Sequence, residues 1–354
     1  MSVEKLRGIL VGLGTRGQRW IDVIKASEDV ELVGYVEPVD TQRQSVAEKY
    51  GISSSKLFSS LSDAIKGVEA DFVLDITPPS VHHLVAEEAL AAGLHVMEEK
   101  PLSDTFENAV RIVRAAQQAG RIHMVTQQRR FGIIPRATRK ALQDGVIGNP
   151  EVAVVAFYAA WATRPGSFYT EMPYPMLTDM GVHHFDLIRY VLGREPIRVR
   201  AQSWNPSWGW HKGDAGHTAV MEFEGGLYVT HHALGASVGR SDGGNGDWRI
   251  EGPNGSLTWE KNELWHTRSY PRDQRVRNKL AVDELVGASQ GAVEQTSVLK
   301  EFASAVREGR EPECSGRDNI RTLALTLAAV QSAKEDRTVE IAEFLQEVPG
   351  LQSA

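Results

Sequence analysis

Gly8-Ile9-Leu10-Val11-Gly12-Leu13-Gly14-Thr15-Arg16-Gly17 decides how this chain is read. A short apolar run ends in a glycine loop, and a helical pattern with Trp20, Ile21 and Ile24 on one face follows. An apolar run closed by glycines fits a strand buried on both faces, as in a parallel sheet. Outward from that stretch, Glu31 to Val36, Asp71 to Ile76, Leu94 to Met97 and Ile122 to Thr126 read as further strands. Helix-length segments separate them, and Ala-rich helices stop at Gly93 and Gly120, where a glycine is expected after a helix end. Strand and helix in alternation imply βαβ units.

The character changes near Gly145-Val146-Ile147-Gly148-Asn149-Pro150, a turn-rich hinge. Beyond it the apolar runs lengthen and become β-branched or aromatic, with glycine-rich connections at Glu224-Gly225-Gly226 and Asp242 to Gly246. These features predict a mostly antiparallel sheet, interrupted by one helix from about Met176 to Leu192. Val293 to Lys334 returns to helical spacing. The chain therefore reads as α/β, with a Rossmann domain over residues 1–128. An α+β domain with a large, mostly antiparallel open sheet occupies 129–354, its C-terminal helices packing back on the first domain.

A length of 354 residues suits two domains better than one core. A formal net charge of -7 argues against a nucleic-acid partner, which would favour a basic face. The single cysteine, Cys314, excludes an intrachain disulfide and a thiolate zinc cage, and no neighbouring His or Arg would activate it. No stretch reaches the roughly 20 apolar residues of a membrane span, and the apolar stretch near the start is too short for a signal-peptide core. A cytoplasmic location is the expectation.

Gly12-x-Gly14-x-x-Gly17 gains meaning from its place between a strand and a helix. The first glycine permits the turn, the second lets backbone approach a pyrophosphate, and the third lets helix and strand pack closely. Thr15 and Arg16 open the helix whose positive end would meet the anion. Glu37 ends the second strand about 20 residues past the motif, placed to accept ribose hydroxyls and to favour NAD over NADP. Arg43, nearby in sequence, would soften that preference.

Glu98-Glu99-Lys100-Pro101 closes a strand at the end where open α/β sheets bind ligands. A lysine there can support a hydroxyl or a developing alkoxide, or be a solvated surface charge. Proline biases Lys100 towards extended backbone. Further on, Asp179 and His183 lie four residues apart and share a helical face. A carboxylate beside an imidazole can orient it and stabilise its protonated form, as a general base requires. Asp186, three residues after His183, is the alternative partner, and a satisfied core histidine is the plainer alternative for the whole helix.

Together these motifs resemble the Gfo/Idh/MocA family of oxidoreductases, named for glucose–fructose oxidoreductase, inositol dehydrogenase and rhizopine catabolism. The resemblance covers nearly the whole chain. It rests on the glycine loop, Thr77-Pro78-Pro79-Ser80-Val81-His82, Glu99-Lys100-Pro101, Arg130-Phe131, the Asp179-x-x-x-His183 helix and the region from Glu301-Phe302 to Arg321. It implies that Lys100, Asp179 and His183 are catalytic, with His183 the base and Lys100 supporting the reacting oxygen. It places Thr77, Pro78, His82, Glu99 and Lys100 beside the cofactor. It further implies hydride transfer between NAD and a secondary alcohol of a sugar, sugar derivative or cyclitol, in a homodimer or homotetramer. Redox-neutral chemistry with retained NAD, or a dinucleotide-binding sensor, are the alternatives. Where many members carry a glycine cluster, this chain has Glu171-Met172-Pro173-Tyr174-Pro175-Met176, which implies a reshaped substrate pocket.

Six tryptophans fall in the second domain: Trp161, Trp204, Trp208, Trp210, Trp248 and Trp259. Indoles suit stacking on sugar C–H faces but are also common sheet residues, so one or two at most are expected at a ligand. Trp161, Arg130 and Tyr174 are the pocket candidates. His231 and His232, adjacent in a strand, point to opposite faces and cannot readily share an ion, so no metal site is expected.

Overall fold

The computed structural model describes residues 4–160, 168–239, 241–268, 274–287, 294–346 and 348. By its contacts the chain divides into two compact units, residues 1–128 with 292–323, and residues 129–291 with 324–354.

The first unit holds strands β1 (Leu6–Val11), β2 (Val30–Val36), β3 (Leu57–Phe58), β4 (Phe72–Asp75), β5 (His95–Glu98) and β6 (His123–Val125). They pair in parallel in the order β3-β2-β1-β4-β5-β6. Helices α1 (Thr15–Lys25), α2 (Asp40–Tyr50), α3 (Leu61–Gly67), α4 (His82–Ala91) and α5 (Phe106–Ala119) connect them. The central strands are apolar throughout because both faces are covered: Ile9, Leu10, Val73 and Val96 are fully buried. Trp20, Ile21 and Ile24 form the buried stripe of α1, as the spacing predicts. Gly93 and Gly120 take the left-handed conformation after α4 and α5, at φ 81° and 59°. The two-residue β3 escapes sequence reading because it is too short to show a period. From the far end of the chain, the helix Glu294–Glu308 sets Phe302 against Phe72, with ring centroids 5.1 Å apart. Cys314 is buried and its carbonyl accepts from the Val125 amide at 2.8 Å, extending the sheet edge.

Among the described residues the second unit is built on nine strands. They are β7 (Val152–Tyr158), β8 (Pro196–Trp204), β9 (Gly216–Phe223), β10 (Leu227–Leu234), β11 (Asp247–Gly252), β12 (Gly255–Glu260), β13 (Glu263–Arg268), β14 (Val276–Lys279) and β15 (Val339–Glu340). Their order is β14-β13-β12-β11-β7-β10-β9-β8-β15, and only β7 and β10 pair in parallel. Helices α6 (Ile133–Gln143), α7 (Gly181–Leu192) and α8 (Val282–Val286) belong to the same unit. The predicted helix from Met176 is present, but its first five residues, Met176–Met180, wind as a π-helix before α7 begins. Inward-facing residues of β10, Leu227, Val229, His231 and Ala233, are buried, whereas Tyr228 is half-exposed on the other face. Trp248 and Trp259 lie opposite one another in register and stack at 5.5 Å, both nearly inaccessible. That pair is sheet core.

Candidate active site

The order of the parallel sheet reverses between β1 and β4, the position at which open α/β sheets bind ligands. The glycine loop fills the end of β1 there. Gly12 has φ 93°, and a Cβ on it would stand 2.8 Å from the Ile76 carbonyl oxygen. A Cβ on Gly17 would stand 2.0 Å from the Gly12 carbonyl oxygen, so the third glycine is what lets α1 close on the loop. Gly14 differs, because among the described residues nothing lies within 4 Å of the Cβ it lacks. It precedes α1, whose start has no side-chain cap and no acidic residue in its first turn. Open space before an uncapped helix start fits the pyrophosphate of a dinucleotide.

Glu37 is buried behind this loop, its two carboxylate oxygens accepting the amides of Leu13 and Val39, both at 3.1 Å. Arg43 donates to the Glu37 carbonyl and to Asp40. Arg16 reaches the Glu99 carboxylate at 2.9 Å, and the Trp20 indole donates to the same oxygen at 3.0 Å. Glu99 also accepts the Lys100 amide at 3.2 Å, so α1 anchors the segment that presents Lys100. The Lys100–Pro101 peptide is cis. Asp75 accepts both the Thr77 amide (2.9 Å) and the Thr77 hydroxyl (2.7 Å), while His82 donates from Nε2 to the Thr77 carbonyl at 2.8 Å. His82 is itself fully buried.

In the second unit, Asp179 lies in the π-helical turn and accepts the Tyr169 hydroxyl at 2.9 Å. His183 follows in the first turn of α7 and is 6% exposed. The alternative partner for His183, Asp186, is gripped at both oxygens by Arg130, at 2.6 and 2.5 Å. Arg130 is 4% exposed and stacks over Tyr190, so a structural ion pair occupies the side chain that the sequence suggests for the pocket. Tyr174 uses its carbonyl to start the π-helical turn and carries the Lys334 ammonium 5.6 Å over its ring. Trp161 lies outside the described residues. Trp208 is 60% exposed, with its indole donating to the Ala236 carbonyl.

Sequence reading missed a buried run of imidazoles. His184 meets the Gly244 carbonyl and His231, both at 2.9 Å, and His231 meets His217 at 2.8 Å. Burial pushes all three well below the ordinary histidine range, His231 to about 3. His232 faces the opposite side of β10 and contacts Thr218, as alternation requires. Among the described residues no group of three or more His, Cys, Asp or Glu side chains is arranged to hold a metal ion.

Residues 6–127 match the model of the oxidoreductase family with an NAD-binding Rossmann fold, and residues 136–258 match that of the GFO/IDH/MocA C-terminal domain. Together they take in more than half of the chain. The chain is 25% identical to D-apiose dehydrogenase of Paraburkholderia graminis, over 99% of this chain and 94% of that protein. It is 27% identical to inositol 2-dehydrogenase of Rhizobium meliloti, over 94% and 98%. Its fold is that of an oxidoreductase from Agrobacterium radiobacter solved with NAD+, L-tartaric acid and magnesium, at TM-score 0.84 and 22% identity over 97% of this chain and all of that one.

Proposed function

The chain belongs to the Gfo/Idh/MocA oxidoreductase family, and from that premise we propose that it oxidises a secondary alcohol of a sugar, sugar derivative or cyclitol with NAD. The observation that carries the reading is the open position at Gly14 before the uncapped start of α1, with Glu37 tied to the same loop. Thr15, Arg16, Thr77, Pro78, His82 and Glu99 complete the cofactor's surroundings in this reading. Glu37 favours NAD over NADP because a buried carboxylate repels a 2′-phosphate.

Bound NAD supplies the acceptor for the hydride. Lys100 donates a hydrogen bond to the reacting oxygen and eases its deprotonation. His183 takes the hydroxyl proton, and Asp179, fixed by Tyr169, stabilises the imidazolium that forms. The names of the relatives support net oxidation over the redox-neutral and sensor alternatives.

The same reading makes the protein a homodimer or homotetramer through the outer face of its nine-stranded sheet. Val152 pairs in register with Tyr228, and Val154 with Thr230, which in turn pairs with Val220. Val152, Val154, Val220 and Tyr228 are all 40–50% exposed on that face. No helix among the described residues is long and apolar enough to cross a membrane, and we place the enzyme in the cytoplasm, where a free Cys314 persists.

The test is a panel of monosaccharides, inositols, anhydrosugars and glycosides offered with NAD and with NADP. Reduced-nicotinamide absorbance is recorded while chromatography follows each substrate. NADH formation with one substrate class supports the reading. Substrate loss without NADH moves the protein to redox-neutral chemistry, and NAD binding without turnover of any substrate favours a sensor.

A further inference from the structure

Four buried ionisable side chains meet on one face of the parallel sheet, next to the loop that carries Thr77. Asp75 ends β4 and Glu98 ends β5, paired in register, while His123 opens β6 and His82 opens α4. All four are at most 4% exposed. Glu98 bridges the two imidazoles, with Oε1 3.6 Å from His82 Nδ1 and Oε2 3.5 Å from His123 Nε2. Among the described residues neither Glu98 oxygen, nor Asp75 Oδ2, nor His82 Nδ1, nor either nitrogen of His123 has a hydrogen-bond partner, which is rare for buried polar atoms. Asp75 Oδ1 and His82 Nε2 both hold one residue. Asp75 Oδ1 takes the Thr77 amide and hydroxyl, and His82 Nε2 donates to the Thr77 carbonyl. Thr77 directly borders the glycine loop: its amide nitrogen lies 3.2 Å from the position of a Cβ on Gly12.

We infer that Glu98 is a positioning residue for the cofactor loop, because it competes with the Thr77 carbonyl for the protons of His82. This rests on the dinucleotide-binding reading given above. The Thr77 carbonyl can only accept, so the observed contact requires a proton on His82 Nε2. While His82 carries two protons, it serves the carbonyl from Nε2 and Glu98 from Nδ1 together. With one proton it must choose, and a charged carboxylate is a stronger acceptor than a neutral carbonyl. The proton then moves to Nδ1, and the Thr77 carbonyl loses its donor. As pH rises the loop is released.

The groups facing His82 agree with that order. Burial opposes its charge, but Glu98 from β5 and Asp75 from β4, and then the backbone carbonyls of Thr77 and Leu102, raise it above the ordinary histidine value. Burial raises Glu98 well above the usual carboxylate range, and raises Asp75 as well against the pull of His82. Burial lowers His123, on β6, to about 4, so it stays neutral throughout. Glutamine at 98 would remain neutral, and its amide can donate to Nδ1, which holds the Nε2 proton on the carbonyl at every pH.

The experiment measures NAD+ affinity by calorimetry for the full-length protein and for Glu98→Gln, from about pH 6.5 to about pH 9. Loss of one hydrogen bond predicts a Kd that rises about three- to tenfold across this range in the natural protein. In Glu98→Gln it should stay level, with the variant binding more tightly at the alkaline end. A variant that follows the natural pH slope overturns the inference, since a purely structural loss would shift both ends alike. Imidazole nitrogen NMR of the natural protein, with His82 assigned by its absence in His82→Gln, gives a second reading that needs neither that folding nor cofactor. His82 should pass to the Nδ1-protonated form as pH rises, and an Nε2 proton retained throughout overturns the inference. Failure to bind NAD+ at any pH refutes the dinucleotide reading instead, while the imidazole spectrum still decides the relay.

Discussion

Asp186→Ala should be among the most damaging single substitutions outside the catalytic set. Arg130 and Asp186 have side chains only 5% and 1% exposed and share two short hydrogen bonds in parallel. Removing the carboxylate leaves a guanidinium that cannot lose its charge inside the protein, at a cost of about 3–5 kcal/mol. That is a large part of the roughly 5–15 kcal/mol that keeps a domain folded. With a urea dependence of about 3 kcal/mol per molar, the midpoint should fall by about 1 M or more. The double replacement Arg130→Met with Asp186→Leu removes both charges and keeps the volume filled, so it should recover most of the loss. The assay is urea unfolding followed by tryptophan fluorescence, with all four members of the cycle measured together. A midpoint shift under about 0.3 M for Asp186→Ala would refute the reasoning. So would a double variant as unstable as the single one. If the double variant folds well yet fails to turn over a substrate that the natural protein oxidises, Arg130 has a ligand role besides its structural one.

The glycine loop offers a paired test: Gly17→Ala puts a Cβ 2.0 Å from a carbonyl oxygen and should lower the melting temperature, whereas the Cβ of Gly14→Ala meets no described protein atom within 4 Å and should weaken NAD binding with melting nearly unchanged. Equal effects of the two on melting would count against the open cradle. Lys100→Met and His183→Ala should each cut turnover by orders of magnitude while NAD affinity, by calorimetry, stays close to normal; near-normal turnover removes that residue from the mechanism. Glu37→Ser should raise the NADP-to-NAD ratio of kcat/KM, and an unchanged ratio would dismiss the carboxylate as the selector. Acid should loosen the second unit: His184, His217 and His231 stay neutral when folded but take up protons near pH 6.5 when unfolded. Stability is therefore complete above that pH and falls below it, by about 1.4 kcal/mol per pH unit for each ring. Glu98 and Asp75, both raised, have the opposite sign, and in the first unit they offset the acid loss from His95 and His123, which burial lowers. Hydrogen exchange corrected for intrinsic rates should show more protection lost between pH 7 and pH 5 in β9 and β10 than in β4 and β5; uniform loss would refute the assignment.

Much of the fold was legible because it is periodic. β1, β2, β4, β5 and β6 announce themselves as apolar runs between helical segments, and the glycine loop fixes where the first crossover lies. The second sheet shows through alternation and its Glu224-Gly225-Gly226 turn, where Gly225 and Gly226 have φ of 71° and 76°. What stayed hidden is pairing between positions far apart in the chain. Nothing local says that Asp186 belongs to Arg130, that Glu99 belongs to Arg16 and Trp20, or that Glu98 faces His82 and His123. Charged residues at strand ends read as solvated until the topology stacks two such ends, Asp75 and Glu98, side by side. The π-helical turn at Met176–Met180 is hidden for a different reason, since one extra residue per turn leaves the apolar pattern almost unchanged.

The three buried imidazoles have a direction. Gly244 offers a carbonyl oxygen, so His184 must keep its hydrogen on Nε2 and show a bare Nδ1 to His231. His231 must then give its own Nε2 hydrogen to that nitrogen and receive one from His217. The sequence of forced choices runs out at His217 Nδ1, a buried lone pair with no donor among the described residues. Three rings that could each adopt either neutral form thus share a single arrangement, dictated by one backbone oxygen in a glycine turn. Reversing it means turning every ring's hydrogen at once, so the row behaves as one polar rod with a fixed head and tail, lodged between α7 and the inner face of the sheet.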